Sequence, residues 1–288
     1  MMRSLLGIVA LVALVLTGVG CASRGPKLRA VEDDGSWYRL TKEQLALGPH
    51  HTRHAEMFGP SVAGTYNEQI LAGIDKVQAS APDGGGYFIG IKADPPESPI
   101  GYDLSLYGAP LLKAPRTTSY CSGASYSAFI EGMNLIHPDG ARRISPERLE
   151  SLRMQEPDGG RREDTVKFWG KWNDDGFGSH YALVQYSGMG TEIEPVQARP
   201  GDFVNITWAK GGGHAVVFLG WHVDPDTGAK SMLYWASQKG TNGLGDQLVG
   251  LDRIRVVKMV RLTAPDRVFE FDVETPVERR IAGDQIPL

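Results

Sequence analysis

A thiol, an imidazole and a polar group to orient the imidazole suffice for nucleophilic attack on a carbonyl carbon. The 288-residue chain has two cysteines. Only Cys121 lies in its body, within "TTSYCSGASYSAFIEGM". Ser122, Gly123 and Ala124 follow it, and Tyr126, Phe129, Ile130 and Met133 then recur at helical spacing. Cys121 is therefore expected at a helix amino terminus, where exposed N–H groups and the helix dipole favour a thiolate. Its backbone N–H could help to hold an oxyanion. His214 follows three glycines, Gly211 to Gly213, and opens the apolar run "HAVVFLGWHV". It can take the thiol proton. Gln238 ends "SMLYWASQ", which a short turn pairs beside the His214 strand, and it is the best orienting group. Ser237 and Asn242 compete with it, because strand register decides which side chain arrives. The plainer alternative is a small buried cysteine and a satisfied histidine.

The elements around these residues read as an α+β chain. Ser61 to Ser80 carries Ile70, Leu71, Ile74 and Val77 at helical spacing. "APDGGG" breaks it, and "GYFIGIKAD" (Gly86 to Asp94) reads as a strand. "SPERLESLRMQ" is a helix capped by Ser145 with Pro146 in its first turn. "DTVKFWGKW" reads as a further short helix. From Phe203 the period changes to that of strands: "FVNITWA", "HAVVFLGWHV", "SMLYWASQ" and "DRIRVVKMVRL". "GTNGLG" between the last two reads as a glycine-rich loop. An antiparallel sheet of about four to six strands is expected behind the cysteine helix.

The chain begins with a basic Met1-Met2-Arg3, the apolar run "LLGIVALVALVL" and then "TGVGCAS". That is the pattern of an export signal. Gly20-Cys21 directly behind the apolar core resembles a bacterial lipoprotein signal cleaved before Cys21, whose thiol would carry lipid. By the same resemblance, Ala22 after the lipidated residue points to an outer membrane, with the protein facing the periplasm. The expected division is a signal over 1–20, a tether over 21–36, a mostly helical region over 37–95, a main domain over 96–275 and a tail over 276–288. Exported space is oxidising and favours paired cysteines. With Cys21 lipidated, the chain offers Cys121 no second cysteine for a disulfide.

Thirty basic residues stand against 34 acidic ones, a net charge of -4. No basic stripe suits nucleic acid. There is no Walker or dinucleotide glycine pattern. No metal site or organic cofactor is expected. "HHTRH" places His50, His51 and His54 near one another, but behind Gly48-Pro49 it reads as a solvated polar turn. Trp208, Trp221 and Trp235 read as core or groove wall. Tyr120 and Tyr102 are candidate oxyanion donors, and Ser122 joins them by position.

"YCSG" followed by "RPGDFVNITW" and "GGGHAVVFLGW" resembles the papain-like amidases and peptidases of the NlpC and CHAP type. The likeness covers roughly residues 102–262. It implies a papain-like fold with Cys121 as nucleophile, His214 as general base and Gln238 as orienting residue. It also implies hydrolysis of amide or peptide bonds, with the peptidoglycan stem peptide as the leading substrate and the membrane reached through the lipid anchor. The alternatives are an acyltransferase or small-amide hydrolase on the same fold, or a non-catalytic wall-binding lipoprotein. The chain departs from those families in having Tyr before the cysteine, Gln or Ser as the third residue, and a long segment over 137–197.

Overall fold

The computed structural model describes residues 39–87, 100–114, 120–154, 168–169, 177–278 and 281–287. The expected leader, Cys21, the tether, most of the Gly86–Asp94 strand and most of the "DTVKFWGKW" helix lie outside them. The chain is mixed α and β, with a two-stranded and a six-stranded antiparallel sheet. In chain order it runs α1 (Lys42–Leu45), α2 (His54–Phe58), α3 (Asn67–Ala79), β1 (Leu104–Leu106), β2 (Ala109–Leu112), α4 (Cys121–Ile136) and α5 (Pro146–Ser151). Then come β3 (Gly190–Ile193), β4 (Phe203–Trp208), β5 (Gly213–Val223), β6 (Lys230–Gln238), β7 (Gly243–Gly250) and β8 (Ile254–Leu262). The large sheet has the order β3-β8-β4-β5-β6-β7.

The helix ends follow local chemistry. The Ser145 hydroxyl accepts the Arg148 N–H and caps α5. α4 stops at His137, one residue before Pro138. α3 and α4 cross where both carry glycine. A Cβ on Gly73 would come within 2.8 Å of the Ala128 carbonyl, so this crossing needs the bare backbone.

One apolar core joins α3 (Ile70, Leu71, Ile74, Val77), α4 (Ala124, Phe129, Met133) and the sheet (Phe203, Val217, Leu219, Leu233, Trp235). The expected boundary at residue 95 therefore does not separate two cores. A second cluster fills the other face of the sheet: Val204, Ile206, Val216, Phe218, Tyr234 and Ala236. Strand alternation accounts for the split, since successive side chains leave opposite faces.

Two strands of the large sheet went unpredicted. β3 has four residues, too few to show a period. β7 pairs with β6 along its whole length, yet it begins within "GTNGLG", which reads as a glycine-rich loop. Its pairing partner, not its own propensity, makes it a strand.

Candidate active site

Cys121 is the first residue of α4, and the N-cap is Tyr120 in an extended conformation. The first backbone bond of the helix runs from Ala124 N–H to Tyr120 O. Tyr120 supplies no side-chain cap, so the opening turn lacks the acceptor that Ser or Asp would give it. The thiol is half-buried, and it is in no disulfide among the described residues.

His214 is the second residue of β5. Gly211 and Gly212, just before it, have φ of +89° and +80°, and a Cβ on either would meet nothing within 4 Å. The turn needs glycine for its backbone, not for room. Register pairs Val217 with Trp235, and three further steps along each strand bring His214 level with Gln238. His214 Nε2 lies 3.4 Å from Gln238 Oε1, a long contact.

The direction of the Gln238 amide is fixed. Its Nε2 donates to Thr241 Oγ1 at 2.7 Å and to the Gly245 carbonyl at 3.0 Å. The Thr241 hydroxyl spends its own proton on the Gly243 carbonyl at 2.6 Å, so Oγ1 can only accept from Gln238. Oε1 must therefore face His214, and an amide oxygen only accepts. The pairing assigns the imidazole proton to Nε2 and leaves a lone pair on Nδ1. Burial pushes the His214 pKa down to about 4, against a small upward pull from Gln238. The ring is neutral at pH 7.

The rings of Trp208 and Tyr234 flank His214, with centroids 5.9 Å and 5.5 Å away. Burial raises the Tyr234 pKa; Arg253 opposes the rise and Cys121 adds to it. Tyr234 packs edge-on against the imidazole. α4 itself packs on the opposite face of the sheet, in one cluster with Val217 and Trp235. Beside Trp208 a pocket of about 420 Å³ is lined by Trp208, Ala209, Lys210, Gly211, Asp252 and Arg253.

The remaining candidates fall elsewhere. Ser237 is fully buried and alternates to the face opposite Gln238. Asn242 is exposed and donates to the Asp83 carbonyl. The structure does not bring Tyr102 to Cys121: its hydroxyl donates to Glu131 Oε1 at 2.8 Å, ten residues or about 15 Å along α4. Tyr120 is buried with its hydroxyl on the Met154 sulfur, which removes it as an oxyanion donor. Ser122 is also buried, and only its position in the first turn keeps it near the site.

The expectation of a solvated turn at "HHTRH" is wrong. His54 is fully buried. Its Nδ1 lies 2.7 Å from Asp75 Oδ1 and its Nε2 lies 3.0 Å from Asp246 Oδ1. His51 stacks on it at 4.1 Å, with Nε2 2.9 Å from the other Asp246 oxygen. Both carboxylates come from distant parts of the sequence, so no local pattern announces them. His51, His54 and Asp246 lie close enough to surround a metal ion, but hydrogen bonds close the set. His51 Nδ1 accepts the Arg53 N–H, which puts the His51 proton on Nε2, where it points at Asp246.

No family model matches the chain, and neither a curated protein nor a solved structure matches it.

Proposed function

We propose that the protein is a lipid-anchored cysteine hydrolase of papain-like fold that cleaves amide bonds, with peptidoglycan stem peptides as substrate. The observation that carries the reading is the fixed Gln238 amide, which holds His214 as a neutral base with its Nδ1 lone pair available. A histidine kept only for packing has no need of an orienting group that is itself oriented by two further bonds.

In this mechanism Cys121 Sγ attacks the amide carbonyl and His214 Nδ1 takes the thiol proton. The imidazolium that forms is stabilised by Gln238 Oε1. N–H groups of the first turn of α4 receive the oxyanion. His214 then returns the proton to the leaving amine, and the C–N bond breaks to give a thioester on Cys121. Water, deprotonated by His214, hydrolyses the thioester and regenerates the thiol. Lys210 and Arg253 outnumber Asp252 in the adjoining pocket, a charge balance suited to the carboxylates of a peptide.

The test is digestion of isolated peptidoglycan by the purified protein and by Cys121→Ala, with fragments read by mass spectrometry. Release by the parent alone supports the hydrolase and identifies the bond. No release, together with a Cys121 that iodoacetamide alkylates no faster than an ordinary exposed thiol, overturns it. No release with a fast-reacting thiol removes the wall as substrate.

A further inference from the structure

Both acceptors that orient Gln238, Thr241 Oγ1 and the Gly245 carbonyl, sit on the turn that enters and opens β7. That turn rests on the histidine segment. His50 Nε2 donates to the Thr241 carbonyl at 2.8 Å. Asp246 N–H donates to the Pro49 carbonyl at 2.8 Å. Gly245 is pressed so closely on the segment that a Cβ there would lie 2.8 Å from Pro49 O and 3.0 Å from the His50 ring.

The segment is in turn held by His54. Asp75 of α3 accepts the backbone N–H groups of His54 and Ala55 as well as His54 Nδ1. Asp246 of β7 takes Nε2. The His51 and Phe58 rings cover the imidazole faces, and Glu56, paired with Arg53, lies beyond Asp75. Since both ring nitrogens meet carboxylate oxygens, both must carry protons.

We propose that His54, clamped as an imidazolium between Asp75 and Asp246, is a positioning residue for the Gln238–His214 pair. The role depends on the hydrolase reading for its purpose. The physical coupling does not: His54 Nε2 holds Asp246, whose N–H holds Pro49, the neighbouring His50 holds Thr241, and the 241–246 turn fixes the amide that sets the His214 proton. Burial works against the His54 charge, but the two carboxylates prevail and hold its pKa at about 9.

The experiment is nitrogen-15 NMR of the histidine rings in the full chain carrying Cys121→Ala, which removes thiol titration and substrate turnover from the readout. At pH 7.5 the expected spectrum has His54 doubly protonated and His214 as a single Nε2–H tautomer. Raising the pH through about 9 should deprotonate His54, and the His214 signals should shift over the same interval. Asp246→Asn should produce the mixed His214 tautomers already at pH 7.5. A neutral His54 at pH 7.5 overturns the proposal. So does a His214 spectrum that stays unchanged while His54 loses its proton, a measurement that needs no variant at the clamp and so survives a clamp variant that fails to fold. A failed peptidoglycan digest leaves this coupling standing, and a failed coupling leaves the hydrolase standing.

Discussion

His54 and His214 are both buried histidines, and the molecule gives them opposite charge states. Around His214 burial acts almost alone, opposed only by a neutral amide, and the ring stays uncharged, with its pKa down at about 4. Around His54 burial acts against two carboxylates and loses, and the pKa stands at about 9. Similar burial thus gives a base in one place and a fixed cation in the other. The partner decides, and each partner suits the role proposed for its histidine. A proton acceptor needs a neutral resting state, whereas a brace benefits from charge-assisted bonds.

The largest effect that separates the two should come from Asp246→Asn. It leaves a buried imidazolium with one carboxylate in place of two, and breaking a buried ion pair costs about 3–5 kcal/mol. Urea unfolding at pH 7 measures it. A cost under about 1 kcal/mol would mean that His54 is not charged in the folded protein.

This contrast marks the limit of what the sequence shows. The helix that begins at Cys121, the strands around His214 and Gln238, and the Ser145 cap are all set by local spacing and chemistry, and the sequence reading locates them. The choice of Gln238 over Ser237 and Asn242 waits on register, since a step of one residue turns a side chain to the other face. The histidine segment is misread because its partners lie 21 and 192 residues away, at Asp75 and Asp246. Tyr102 is misread for the converse reason. Closeness in sequence to Cys121 suggests closeness in space, but Tyr102 and β1 lie beside Glu131 and Asn134, well along α4 from Cys121.

Next in size is the dependence of stability on pH, which should have two limbs, led by His54 on the alkaline side and by His214 on the acid side. Between pH 9 and 6.5 the folded state holds a proton on His54 that the unfolded state has lost. Stability from this group is complete below pH 6.5 and falls as pH rises through 9, by about 3 kcal/mol. Between pH 6.5 and 4 the unfolded state protonates His214 while the folded state refuses the proton. Stability therefore falls as pH drops through that window, again by about 3 kcal/mol. Asp75 and Asp246, whose pKa values His54 helps to lower against the pull of burial, steepen the acid limb at its lower end. In urea midpoints against pH, His54→Gln should flatten the alkaline limb and soften only the lowest end of the acid limb, where Asp75 and Asp246 titrate, whereas His214→Gln should shallow the acid limb and leave the alkaline limb intact. Loss of both limbs in either variant would show that the two histidines are not separable.

The smallest effect is the most specific, because it depends on sign. Gln238 pulls the His214 pKa up slightly by accepting from its Nε2. Gln238→Leu removes that acceptor, leaves a buried N–H unsatisfied at a cost of about 1–2 kcal/mol, and should move the acid limb of kcat/KM to lower pH. Gln238→Glu offers a carboxylate to the same nitrogen and should move the limb to higher pH. Its second oxygen would face the Gly245 carbonyl, where Gln238 now donates, so this variant should also be less stable than the parent. Opposite shifts from the two substitutions would assign Gln238 as the partner of the imidazole that sets the limb. Shifts of the same sign would assign the acid limb to some other group and leave Gln238 as packing between β6 and β7.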